Sequence, residues 1–104
     1  MTRTLPVAAL ALSLCTPGSH AADPNIGRNL AATCANCHGT DGRSAGGMEA
    51  LAGMPRSKLL ASLKAFRAGE KPATIMHQIS RGYTEDQLEL IADYFASVTA
   101  GGAR

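Results

Sequence analysis

Apolar positions recur every three to four residues in several stretches of this chain, and no stretch keeps up a period-two alternation. The spacing predicts a helix from about Asn25 to Cys34 (NIGRNLAATC), with Ile26, Leu30 and Ala31 on one face. Asp23 or Asn25 would cap it, and Pro24 suits a helix start. Pro55 to Ala68 (PRSKLLASLKAFRA) predicts a second helix, with Leu59, Leu60, Leu63 and Phe66 along one side and Gly69 as its stop. Ile75 and Ile79, four positions apart, predict a short turn of helix within Thr74 to Arg81, ended by Gly82. In the last helix, Thr84-Glu85-Asp86-Gln87 has the Thr-x-x-Gln form of a capping box, and its acids suit the positive helix N-terminus. Leu88, Ile91, Ala92 and Phe95 follow at helical spacing, with Leu90 and Tyr94 as a neighbouring pair. Residues 38–54 (HGTDGRSAGGMEALAGM) are rich in Gly and Ser and predict a loop. The expected class is all-α, with three to four short helices in one small domain.

The N-terminus follows a different pattern. Arg3 gives a short positive start, and Leu5 to Leu14 (LPVAALALSL) is an apolar run too short to span a bilayer as a helix. Pro17, Gly18 and the small-residue pattern Ser19-His20-Ala21 follow. This layout predicts a secretory signal peptide over residues 1–21, cut after Ala21, and a folded domain over 22–104. Cys15 raises the alternative of a lipidated cysteine, but Leu14 stands where such a box needs a small side chain.

Cleavage there changes the composition that matters. Arg3 leaves, so Lys and Arg fall from 10 to 9 against 8 acids, and the mature domain is near neutral. It has no basic stripe interleaved with aromatics, which argues against nucleic-acid binding. It is also short of core material, with no Trp, two Tyr and two Phe. Domains this small bury a low fraction of their surface and often need a staple or a cofactor. Only Cys34 and Cys37 would remain as cysteines, and a bridge between them would close a loop too small to stabilise much.

Those two cysteines sit in CANCHG, residues 34–39. A structural zinc site needs four ligands; the mature chain's only histidines are His38 and His77, and His38 adjoins Cys37 too closely to be an easy third ligand of the same tetrahedron. A thioredoxin-like dithiol would need a βαβ setting, which the periodicity does not provide. Covalent haem attachment fits better: each thiol adds to one vinyl group of the porphyrin, and His38 then reaches the iron. Met48, Met54, Met76 and His77 are the candidates for the sixth position. Met48 and Met54 follow His38 too soon to go round the haem edge easily, and Met54 reads as core. Met76 follows an intervening helix and has room to approach the far face, and methionine with histidine is an established axial pair.

The order CANCHG, LAGM, LKAFRAG, TIMHQISRGYT and a helix ending in ADYFAS resembles the small bacterial class I c-type cytochromes. ATIMHQISRGY is similar to the cytochrome subunits of flavocytochrome c sulfide dehydrogenases, and the likeness runs from about Asn25 to Val98. It implies a small class I cytochrome c fold around one covalently bound haem c, with Cys34 and Cys37 as thioether positions and His38 and Met76 as axial iron ligands. It also implies that Gly27 lets the first helix cross the last close to Tyr94 and Phe95. The family commonly has a loop proline whose carbonyl accepts the proximal histidine's N–H. This chain has Ser44-Ala45-Gly46-Gly47-Met48 there, where a glycine carbonyl would do the same with a looser hold.

The resemblance implies one-electron transfer in the periplasm, with no catalytic residues in this chain and no membrane insertion of the mature protein. A flavoprotein sulfide dehydrogenase would be the redox partner and the seat of sulfide chemistry, making this chain the haem subunit of a sulfide–cytochrome c reductase. The first rival is a stand-alone periplasmic carrier. A stable complex would need an apolar patch at the haem edge, with Met48, Leu51 and Met54 as candidates, whereas a shuttle needs only a weak charged surface. Further rivals are a small-ligand sensor with an open sixth site, which requires that Met76 not bind iron, and a haem-free zinc module.

Overall fold

The computed structural model describes Met1 and residues 23–99, so the expected signal peptide and Cys15 lie outside the described residues. The described residues form helices and loops with no strand. Helix α1 (Ile26–Ala31) runs through a 3₁₀ turn at Ala32–Cys34 into the short α2 (Ala35–His38), making one helical segment that delivers CANCH. After it come α3 (Arg56–Ala68), α4 (Met76–Arg81) and α5 (Glu85–Ser97).

Helix α5 is the post on which the others lean, with α1 and α3 both packed against it and α4 against α3. Its start is the predicted box: the Thr84 hydroxyl accepts from the Gln87 N–H, and the Gln87 side chain accepts from the Thr84 N–H. Leu88, Ile91, Ala92 and Phe95 form its buried stripe, and they join Ala31, Leu51, Met54, Leu59 and Leu63 in a single core cluster. Helix α3 ends as expected, with Gly69 in the left-handed region at φ 75° and its N–H on the Phe66 carbonyl. Outside the core, Arg56 at the start of α3 pairs with Asp93 and Glu89 on α5.

The first helix departs from expectation at Ile26, which is 43 % exposed although its spacing pointed inward. Asn25 occupies the cap position without a side-chain cap bond, and the Asp23 carboxylate accepts the Asn25 N–H instead. Gly27 lies close to Tyr94, as the resemblance implies. A Cβ there would lie 2.7 Å from the Leu90 carbonyl oxygen and 3.4 Å from the Tyr94 Cβ, so the close approach is to the α5 backbone at Leu90. Tyr83, in the turn between α4 and α5, ties this crossing to α1: its hydroxyl donates to the Leu30 carbonyl and meets the Thr33 hydroxyl at 2.8 Å.

The loop from Gly39 to Met54 folds back over the C-terminal half of α5. Gly42, at φ 75°, accepts the N–H groups of Leu51 and Ala52 on its carbonyl, and Gly53 donates to the Phe95 carbonyl. A side chain at Gly42 would run into the Phe95 ring at 2.8 Å. Asp41 anchors the near end by accepting from the Tyr94 hydroxyl and from Arg43. Burial first, then the hydrogen bond to Asp41 and its negative charge, push the Tyr94 hydroxyl above the ordinary tyrosine range and keep it a donor at neutral pH.

Gly27→Ala should lower the unfolding free energy by about 1–3 kcal/mol, the range for forcing extra atoms into a filled contact. Gly46, with nothing within 4 Å of an added Cβ, provides the control: Gly46→Ala should leave the denaturant midpoint nearly unchanged.

Candidate functional site

The helices do not close on one another completely. A cavity of about 470 Å³ opens between the CANCH segment, the Gly-rich loop, α3 and α4. That volume lies in the range of roughly 300–1,000 Å³ common for cofactor and small-molecule sites. Cys34, Cys37 and His38 line it from the first helical segment, and Met48, Glu49, Leu51 and Met54 from the loop. Leu59, Ser62, Leu63 and Phe66 line it from α3, and Lys71, Ile75, Met76 and Ile79 from the connection to α4 and from α4 itself. All four residues singled out in the sequence, Cys34, Cys37, His38 and Met76, therefore meet at one cavity. His77 does not line it.

The local structure explains how CANCH presents its groups. Cys34 closes the 3₁₀ turn and Cys37 follows in α2, so the two thiols lie within about one helical turn of each other. Both thiols are free, Cys37 exposed and Cys34 half-buried. Burial pushes the Cys34 thiol above its ordinary value, so it stays protonated at neutral pH. Gly39, at φ 83°, ends α2 and turns the chain away immediately after His38.

His38 is buried and its ring is fixed by a single bond: Nδ1 lies 2.6 Å from the Glu49 carbonyl oxygen. A carbonyl only accepts, so Nδ1 carries a proton, and in the neutral tautomer Nε2 is the nitrogen with the lone pair. A buried imidazole held in this tautomer at a cavity wall is what a neutral nitrogen ligand to a metal requires. The carbonyl that orients it belongs to Glu49, at the end of the Gly-rich stretch, and not to one of the loop glycines considered from the sequence. Backbone carbonyls carry no residue signature, so only the fold of the loop could single this one out.

The methionines separate in the same way. Met54 is 9 % exposed and belongs to the core cluster, as its spacing suggests, while Met48 is 48 % exposed at the cavity rim. Leu51, at 7 %, is buried too, so of the three residues considered for an apolar docking patch only Met48 reaches the surface. Ile75 and Ile79, which the sequence marked only as a short turn of helix, are the exposed apolar residues on the α4 side of the rim. Among the described residues, no group of three or more His, Cys, Asp or Glu side chains is arranged to hold a metal ion. His38 has one free nitrogen, the wall is mostly apolar and two thiols stand at one side. This donor set fits a planar apolar macrocycle with an axial nitrogen better than a bare cation.

The cytochrome c family model matches residues 25–99, and the chain belongs to that family. Covalent haem c is the cofactor this membership brings, electron transfer is the activity class, and Cys34-x-x-Cys37-His38 is the matching attachment motif. The chain is 34 % identical over 73 residues to the cytochrome subunit of sulfide dehydrogenase from Chlorobaculum tepidum, covering 70 % of this chain and 66 % of that protein. It is 32 % identical over 81 residues to cytochrome c-554(548) of Halomonas halodenitrificans, covering 74 % of this chain and 98 % of that one. The solved structure of cytochrome c4 from Acidithiobacillus ferrooxidans superposes with a TM-score of 0.60 at 35 % identity, over 62 % of this chain and 38 % of that chain. This chain thus spans just under two thirds of the sulfide dehydrogenase subunit's length and less of the cytochrome c4 chain. The expected all-α cytochrome c fold is borne out by the family match and the superposition.

If Met54 is core and Met48 rim, their truncations should differ sharply. Met54→Ala should cost about 2–5 kcal/mol of unfolding free energy. Met48→Ala should stay within about 0.5 kcal/mol. Denaturant titration followed by helical circular dichroism reads both.

Proposed function

We propose that residues 1–21 export the chain to the periplasm, where Cys34 and Cys37 hold haem c through thioethers and His38 and Met76 are its axial ligands. In this reading the domain accepts single electrons from a flavoprotein sulfide dehydrogenase. The observation that carries the ligand set is the His38–Glu49 bond, which commits Nδ1 and leaves Nε2 on a cavity that Met76 also lines. The haem supplies the reversible one-electron couple of its iron. The chain's own part is to set where that couple lies and what can reach it. Leu59, Leu63 and Ile91 surround the site with apolar atoms, which disfavours the extra positive charge of the oxidised state. The soft Met76 thioether acts in the same direction, and both raise the reduction potential. Held by both His38 and Met76, the iron would offer no free position to oxygen or peroxide, and transfer would be outer-sphere.

The likeness to the Chlorobaculum subunit supports the sulfide dehydrogenase partner. A stand-alone carrier is the second reading, and it is supported by the Halomonas cytochrome, which this chain covers almost end to end. Both readings keep the same ligands and differ only in the donor.

Met76→Ala should abolish the weak red methionine–Fe(III) absorption band and lower the midpoint potential, while His77→Ala should leave both in place. Persistence of the band in Met76→Ala would remove Met76 from the ligand set and revive the open-site sensor. For the partner, the exported protein should co-purify with a flavoprotein, and its haem should be reduced on adding sulfide. A haem reduced only by generic donors, with no flavoprotein retained, would favour the carrier.

A further inference from the structure

The cavity wall is apolar along most of its length but has one polar corner. Among the described residues that line it, Lys71 is the only Lys or Arg. It lies in the connection between α3 and α4, on the wall that does not carry the cysteines, and it is held from two sides. Its Nζ sits 4.8 Å from the centroid of the Phe66 ring and donates to the Ser62 hydroxyl at 3.3 Å. Ser62 and Phe66 are four residues apart on α3 and both line the cavity as well. A lysine stem otherwise keeps several rotamers in water, so these two contacts set the ammonium at the wall in advance of any ligand.

Haem c carries two propionate carboxylates, and an ionised carboxylate is costly against apolar surface unless it finds a cation or water. The cavity's other titratable groups do not offer a cation. The His38 N–H is already committed to the Glu49 carbonyl, Glu49 itself is an acid, and the two thiols are the attachment positions. We infer that Lys71, with the Ser62 hydroxyl beside it, binds one haem propionate and so fixes which way the group faces in the cavity. This rests on the haem reading above. The ammonium also acts on the iron: a positive charge held at a propionate disfavours Fe(III) and raises the reduction potential, and it keeps that propionate ionised to lower pH.

The test is the midpoint potential of the haem-loaded protein, measured as a function of pH for the wild type and for Lys71→Gln, Lys71→Arg and Lys64→Gln. Lys64 lies on the exposed side of α3 and does not line the cavity, so it controls for a general loss of charge. In Lys71→Gln the potential should fall at pH values above both inflections and below both, and come close to the wild-type value between them. The pH at which it begins to drop, as the propionate ionises, should rise by about one to three units, the usual effect of removing an opposite charge at close range. Lys71→Arg should restore both, and Lys64→Gln should leave the inflection where it is. An unmoved inflection in Lys71→Gln, with only a lower unfolding midpoint, would show that Lys71 merely packs on Phe66 and would overturn the inference while leaving the haem reading intact. A purified protein with no haem spectrum would overturn both.

Discussion

The rest of the structure depends on a shortage of bulk at its own centre. Nine buried residues make the core cluster, and the only aromatic among them is Phe95. They fill the space around α5 but not the space between α3, α4 and the CANCH segment, where the cavity lies. Protein interiors tolerate almost no void, because lining atoms lose their dispersion partners. A cavity of about 470 Å³ walled by Leu, Ile and Met is therefore a stable feature only when something apolar occupies it. The haem of the cytochrome c family is a large flat apolar body of that kind, so cofactor and core are one object here. That unites two observations from the sequence, the scarcity of aromatics and the attachment motif.

Much of this was legible along the chain because the governing signals are local. The Thr84–Gln87 box, the Gly69 stop and the Leu88–Phe95 stripe each depend on residues within a few positions of one another, and each stands as read. The attachment motif is also local, which is why Cys34, Cys37 and His38 could be named together. Ile26 shows where periodicity misleads: it sits at the first turn of α1 and stays 43 % exposed despite its helical spacing with Leu30 and Ala31. Ile75 and Ile79 point the same lesson at the cavity rim, where apolar side chains at helical spacing are exposed yet line the cavity.

What stayed hidden was set by the path of the Gly-rich loop. Its glycines reveal that it turns but not where each carbonyl points, so the partner of His38 could not be identified in advance. The same applies to Leu51, which looks like a surface candidate in a loop of small residues. It is drawn inward because Gly42 accepts the Leu51 and Ala52 N–H groups and Gly53 reaches the Phe95 carbonyl. A loop whose backbone is bonded to a core helix behaves as part of that core. Lys71 was invisible for a related reason: its meaning comes from Phe66 and Ser62 standing beside it at one wall, and nothing in the string GEKP marks that.

The bonds that join Tyr83 to Leu30 and Thr33, and Tyr94 to Asp41, span 50 to 53 residues of sequence. Helix α1 likewise packs against α5 at the other end of the described chain. Closing loops of that length costs entropy before any packing is gained, and topologies built on such contacts assemble slowly. The segment that carries the cysteines and the last helix thus hold each other in place across the described chain, so a change that loosens α5 also loosens the wall on which Cys34 and Cys37 stand.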